Sequence, residues 1–217
     1  MKRAVIFLNG NKPSRDLVFE TIKTTDTIIC ADGGAKWAIA AGITPQVIVG
    51  DLDSLPKQLY KKLQKLPIDW VTFSSEKDYT DSELALKYAI EHGFMEIVVI
   101  GVFGNRMDHL MANMTHFSSV LKATQNLAIS IVEKDQSMYF VKDKLVLVGE
   151  KGKTVSILSL DGDAKGVSTK GLKWRLDNET LRFGESRGVS NEIVARRVSV
   201  EVKRGVILLI HQKHRVE

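Results

Sequence analysis

The chain has little of what staples a protein covalently, anchors it in a membrane or stripes it for nucleic acid. Among 217 residues there is one cysteine, Cys30, so no intramolecular disulfide can form. A reducing compartment, the cytoplasm, is therefore expected. Cys30 sits inside the apolar run Ile28-Ile29-Cys30-Ala31 and reads as a small core residue. Long apolar runs are also missing. Ala4–Leu8 is too short for a secretory leader or a span, and nothing else approaches the roughly 20 residues a membrane helix needs. Lys and Arg exceed Asp and Glu, 31 to 26, but they are scattered rather than blocked. No nucleic-acid stripe is indicated, and a mild positive excess suits a polyphosphate ligand equally well. The hydrophobic and charged fractions, 44% and 26%, are ordinary for a globular chain with one large domain or two small ones.

What is present falls into two patterns. In the first half, short β-rich apolar runs alternate with segments of helical spacing. Strands are expected at Ala4–Asn9, Ile28–Ala31, Val47–Val49, Trp70–Phe73, Ile97–Val102 and Ile129–Glu133. Helices are expected at Arg15–Lys23, Ala35–Ala41, Pro56–Leu66, Thr80–His92 and Asp108–Lys122. The run Thr80-Asp81-Ser82-Glu83 matches a capping box. This alternation predicts an α/β fold: an open, mainly parallel, Rossmann-like sheet with flanking helices. From about Ser137 the chain turns to short strand-like runs punctuated by glycine, which predicts an all-β sandwich or barrel. The expected domains are residues 1–135 and 136–217.

Acidic residues gather where the expected strands end. Ala31-Asp32-Gly33-Gly34, Gly50-Asp51-Leu52-Asp53-Ser54, Asp78-Tyr79-Thr80-Asp81 and Asn105-Arg106-Met107-Asp108-His109 each follow an apolar run. In an open parallel sheet all of them emerge at the carboxyl edge, where such folds bind ligands. Carboxylates crowded there repel one another unless a cation sits among them. Asp51 and Asp53, two apart in an extended segment, would project to one side with Cα atoms about 6.6 Å apart. A plain Asp-rich turn, with Asp53 or Ser54 capping the next helix, would use the same residues. Gly33 and Gly34 would let backbone N–H groups approach a phosphate. Arg106 offers a fork for phosphate oxygens. Asp108 reads as a site residue or a helix cap. His109, and Asn113 one turn further on, are candidate ligand contacts or ordinary helix residues. In the β half, Trp174 could stack on a flat or cationic ring, and Ser190-Asn191 is a turn or a contact.

In order, Cys30-Ala-Asp-Gly-Gly-Ala35, Gly50-Asp-Leu-Asp-Ser54, Lys77-Asp-Tyr-Thr-Asp81, Gly104-Asn-Arg-Met-Asp-His109, Thr169-Lys-Gly-Leu-Lys-Trp174 and Ser190-Asn-Glu192 resemble the thiamine pyrophosphokinase (thiamine diphosphokinase) family. The resemblance covers most of the chain. It implies an α/β catalytic domain, a β-sandwich thiamine-binding domain and a homodimer with active sites at its interface. It implies transfer of the pyrophosphoryl group of ATP to thiamine, with Mg²⁺ required. By that resemblance Asp51, Asp53 and Asp81 hold metal and polyphosphate. Arg106 and Asp108 lie at the nucleotide phosphates, and Asp32 with its glycines borders them. Ser54, Asp78, Thr80 and His109 fall in the same motifs, with Asn113 one turn beyond His109, and all five are expected at the bound substrates. Trp174 stacks on thiamine, and Ser190 and Asn191 touch its pyrimidine. Leu52 stands where Phe is commoner, Asn105 where Gly is, Arg175 where Pro or Asn is, and Val189 where Thr is. Two rival readings use the same acids: another Mg²⁺-dependent phosphotransferase or phosphohydrolase, and a non-catalytic nucleotide-binding module.

Overall fold

In a computed structural model, residues 1–74 and 78–213 are described. Contacts divide the chain into two compact units: Met1–Asn113 with Ile131–Glu133, and Met114–Ser130 with Lys134–Glu217.

The first unit carries β1 (Arg3–Phe7), α1 (Arg15–Thr21), β2 (Thr27–Ala31), α2 (Gly34–Ala40), β3 (Val47–Gly50), α3 (Lys57–Leu63), β4 (Asp69–Thr72), α4 (Asp81–Glu91) and β5 (Glu96–Ile100). α5 (Met107–Ala123) and β6 (Ala128–Val132) follow, each with residues in both units. The five strands pair in parallel in the order β5-β1-β2-β3-β4. The near-continuous apolar sequences of β1, β2, β3 and β5 suit strands covered on both faces, while β4 lies at the edge and is half-exposed. Val5, Phe7, Ile28, Cys30, Ile48, Val98 and Ile100 join one core with Val18 of α1, Ala35 and Ala38 of α2 and Leu63 of α3. The alternate residues Ala4, Ile6, Ile29, Val47, Val49, Ile97 and Val99 are buried as well. α4 packs over β1–β3 and buries Leu84, Ala85, Leu86 and Ala89. Burial pushes the Cys30 thiol well above its usual range, so it is an inert core group.

Helix starts follow their capping residues. Ser14 accepts from Leu17 N at 3.3 Å, and Thr80 accepts from Glu83 N at 3.3 Å. α3 differs from expectation. Its N-cap is Pro56, with no side-chain cap bond, so neither Asp53 nor Ser54 caps it.

The second unit is antiparallel. β7 (Gln136–Val141), β14 (Ile207–Gln212), β9 (Thr154–Ser159) and β12 (Asn191–Glu192) pair in the order β12-β9-β14-β7. β8 (Lys144–Val148), β13 (Arg197–Glu201), β10 (Ala164–Lys170) and β11 (Glu179–Leu181) form a second sheet in the order β11-β10-β13-β8. Side chains from both sheets share one core, including Val155, Ile157 and Leu209 from the first and Val167, Val198 and Val200 from the second. Among the described residues, no helix is long and apolar enough to cross a membrane.

Candidate active site

Every loop of the site leaves the carboxyl end of a parallel strand. After β2 the chain turns sharply at Asp32, whose φ of 43° is left-handed, a region Asp tolerates better than most residues. The turn buries Asp32 to 4% exposure and leaves its Oδ1 without a hydrogen-bond partner. Burial, then the charges of Asp81 and Asp53, push its pKa upward, while the Ser54 hydroxyl and the Gly33 N–H pull it down. A buried, partly unsatisfied carboxylate is costly unless something cationic joins it.

Asp32 does not stand alone. Carboxylate oxygens of Asp32, Asp51 and Asp53 lie within 4.8 Å of one another. The pairing of Asp51 with Asp53 does not come from an extended pleat. β3 ends at Gly50, and Leu52 takes a left-handed φ of 68°. The Asp51 carboxylate then accepts from Asp53 N at 3.3 Å. Leu52 packs against the sheet core while the acids on either side turn outward, Asp53 exposed and Asp51 half-buried. Gly50 makes this crowding possible. At φ 147°, a Cβ there would sit 3.0 Å from both Asp32 Cβ and Asp81 Oδ1.

Asp81, expected as a metal ligand with Asp51 and Asp53, is not one of the three grouped carboxylates; Asp32 is. Asp81 opens α4 beside Asp32 and faces a cavity of about 310 Å³. Asp32, Ser54, Thr80, Arg106, His109 and Asn113 also line that cavity. Asp32 is thus common to the acidic trio and the cavity wall. Asp78 is exposed and belongs to neither. Lys77, which opens the same motif, lies outside the described residues.

Arg106 and Asp108 pair in a fork. Arg106 Nε lies 2.9 and 3.2 Å from the two Asp108 oxygens, and Nη2 lies 2.6 Å from Oδ2. The guanidinium holds the Asp108 carboxyl well below the usual carboxylate range. Both side chains are largely exposed, so the pair contributes little to stability. Arg106 also lines the cavity, and its guanidinium carries five N–H donors, more than the pair with Asp108 uses. Asn105, which stands where Gly is commoner, has no positive φ and lines the wall.

Sequence reasoning missed the loop after β1. Leu8, Asn9 and Gly10 line the cavity, and Gly10 N donates to Gly101 O at 3.0 Å. Trp37 packs on the core and also donates from Nε1 to Gly10 O at 3.0 Å. The Asn9-Gly10 pair at a strand end was an available turn signal. The glycines of α2 have a packing reason. A Cβ on Gly34 would strike the Phe7 carbonyl, and one on Gly33 the Asn9 side chain. Neither glycine lines the cavity.

In the second unit Trp174 is 51% exposed, with Lys173 Nζ 4.9 Å from its ring centroid. Asn191 is buried, and its amide turns to the main chain of Trp174. Oδ1 accepts from Trp174 N at 3.0 Å, and Nδ2 donates to Trp174 O at 2.6 Å. Ser190 is exposed and left-handed, φ 58°, and its N donates to Ser156 Oγ at 3.1 Å.

Two family profiles match the chain. One, described as thiamin pyrophosphokinase, catalytic domain, matches residues 19–131. The other, thiamin pyrophosphokinase, vitamin B1 binding domain, matches residues 141–207. The chain belongs to the thiamin pyrophosphokinase family. The thiamine pyrophosphokinase of Bacillus subtilis is 27% identical over 184 residues, spanning 84% of this chain and 85% of its own. Thiamine pyrophosphokinase 1 of Oryza sativa subsp. japonica is 24% identical over 224 residues, spanning 91% and 82%. The crystal structure of the Bacillus subtilis thiamine pyrophosphokinase superposes with a TM-score of 0.86 at 25% identity, covering 98% of this chain and all of that one. Yeast thiamin pyrophosphokinase shares the fold, with a TM-score of 0.78 at 17% identity, covering 97% of this chain and 86% of that one. Within the thiamin pyrophosphokinase profiles, the first spans Asp32 through Asn113 and the second spans Trp174, Ser190 and Asn191.

Proposed function

We propose that this chain transfers the pyrophosphoryl group of ATP to the hydroxyethyl oxygen of thiamine, giving thiamine diphosphate and AMP. The observation that carries the site is the buried Asp32 carboxylate, with an unpartnered oxygen, shared between the acidic trio and the cavity. The choice of thiamine as acceptor rests on the family match across both parts of the chain.

The donor set suits a hard divalent cation. Carboxylate oxygens of the trio lie within 4.8 Å of one another, and Mg²⁺ takes such oxygens together with waters and substrate phosphates. Asp32, Asp51 and Asp53 would hold the ion, with Asp81 completing the acidic wall. A bound Mg²⁺ would neutralise polyphosphate oxygens and orient them. Arg106, held by Asp108, would present its remaining N–H donors to the phosphates. Ser54, Thr80 and His109 would border the nucleotide. A P–O bond forms between the thiamine oxygen and the β-phosphorus, the bridge to the α-phosphate breaks, AMP leaves with the bridging oxygen, and the hydroxyl proton is released to water. Positioning and charge neutralisation carry such transfers. Trp174 would stack on the cationic thiazolium with its open face. Asn191 would fix the segment that presents the ring. The further parts of the proposal are catalytic and thiamine-binding domains meeting near residue 135, a homodimer with the active site at its interface, and a cytoplasmic location, which the lone buried Cys30 favours.

The test is direct. The chain with ATP, Mg²⁺ and thiamine should yield thiamine diphosphate and AMP in equal amounts by chromatography. ADP or free phosphate in their place would mean a different phosphotransferase.

A further inference from the structure

Three side chains from two helices form one relay on the cavity wall. Glu83 N donates to Thr80 Oγ1 at 3.3 Å, Thr80 and Ser82 hydroxyls are 3.0 Å apart, and Ser82 Oγ donates to Asn113 Oδ1 at 2.5 Å. That last distance fits an O–H···O bond and is short for an amide N–H donor, so Oδ1 is the end facing Ser82. With the Ser82 proton given to Asn113, the Thr80 proton must point to Ser82. The direction of the relay is thereby fixed. Asn113, on α5, is 6% exposed, and the bond reaches 31 residues along the chain. Asp81 lies between the two hydroxyl residues, in the first turn of α4, with its Oδ1 against the space beside Gly50 and Asp32.

We propose that Asn113 and Ser82 are positioning residues: together they pin the first turn of α4 to α5, so that Asp81 is held at the acidic wall for the cation and the ATP polyphosphate. This rests on the proposed function for the identity of the ligand. Thr80 already caps α4 through Glu83 N, so the helix does not need the other two links to form. Their geometric consequence falls on the orientation of the turn, and hence on Asp81.

The test uses the full chain and calorimetric titration with ATP, with and without Mg²⁺. Ser82→Ala and Asn113→Leu each remove the long link. Losing a hydrogen bond worth about 1 kcal/mol predicts roughly five- to tenfold weaker ATP binding in Mg²⁺. Binding without Mg²⁺ should change less than twofold, a split that a merely structural bond would not produce. Ser82→Thr restores the hydroxyl and should return the Mg²⁺-dependent affinity to within twofold of wild type. The proposal is overturned if both variants bind ATP with Mg²⁺ as wild type does, or if binding weakens equally with and without the ion. Should Asn113→Leu fail to fold, Ser82→Ala alone decides. The wild-type product assay separates this from the underlying reading. If the wild-type chain binds ATP with Mg²⁺ but makes no thiamine diphosphate, the proposed function fails and the relay is still tested.

Discussion

Asp32 concentrates the conflict between holding a ligand and holding a fold. Its carboxyl is buried, faces two other acids and has one oxygen with no partner. Its pKa is raised on folding, so stability from this group is present at low pH and lost as pH rises through the folded value. Asp32→Asn therefore predicts a higher Tm for the metal-free chain at neutral pH, read by calorimetry. The same change should lower thiamine diphosphate formation about 100-fold or more, the scale of losing one electrostatic contact to the transferring group. Trp174→Ala makes the opposite demand. The ring is half exposed, so Tm should hold, while KM for thiamine rises about tenfold and KM for ATP does not. Equal rises in both would remove the ring from the acceptor site. The acids themselves were legible one by one, because each ends an apolar run. Their grouping was not. A left-handed Leu52 and a left-handed Asp32 decide which carboxylates meet, and side-chain identity does not announce those angles.

At the scale of elements, β1, β2, β3 and β5 were readable because burial on both faces makes them near-continuously apolar. β10 was not readable. Its register shifts between Ala164 and Val167, and Gly166 there has φ 68°, so inward side chains lose the period of two that marks a strand. β11 and β12, three and two residues long, carry too little pattern to be seen. β14, paired on both sides, holds a pH-sensitive position. His211 is half-buried there and its Nε2 is buried without a partner. Burial lowers its pKa from 6.5; Lys153 and Lys213 add to this and Glu150 opposes it. The folded chain resists the proton that the unfolded chain accepts. Stability is therefore present above pH 6.5 and lost as pH falls through the folded value. His211→Gln should flatten the fall in Tm between about pH 7 and pH 5 that wild type shows. An unchanged slope would assign the acid sensitivity elsewhere.

For the whole molecule, ligand and ion should act as one stabilising unit. ATP bound through an acid-held cation protects the native state by mass action, about 2.7 kcal/mol at a hundredfold excess over Kd. That corresponds to a Tm rise of several degrees for a chain of this size. Chelation with EDTA should abolish most of that rise in a thermal scan, whereas chelator without nucleotide should leave Tm nearly unchanged. The family was legible at this scale because six short motifs recur in a fixed order over both parts of the chain. No single motif was specific, and an Asp-rich turn would explain any one of them.

Asn191 grips the backbone of residue 174 and leaves its indole alone. The loop geometry is thus indifferent to which side chain is displayed there. A library randomised at that one codon would present every amino acid except proline, which lacks the N–H that Asn191 holds, from the same perch, and altered acceptor preference could be selected without rebuilding the surrounding strands.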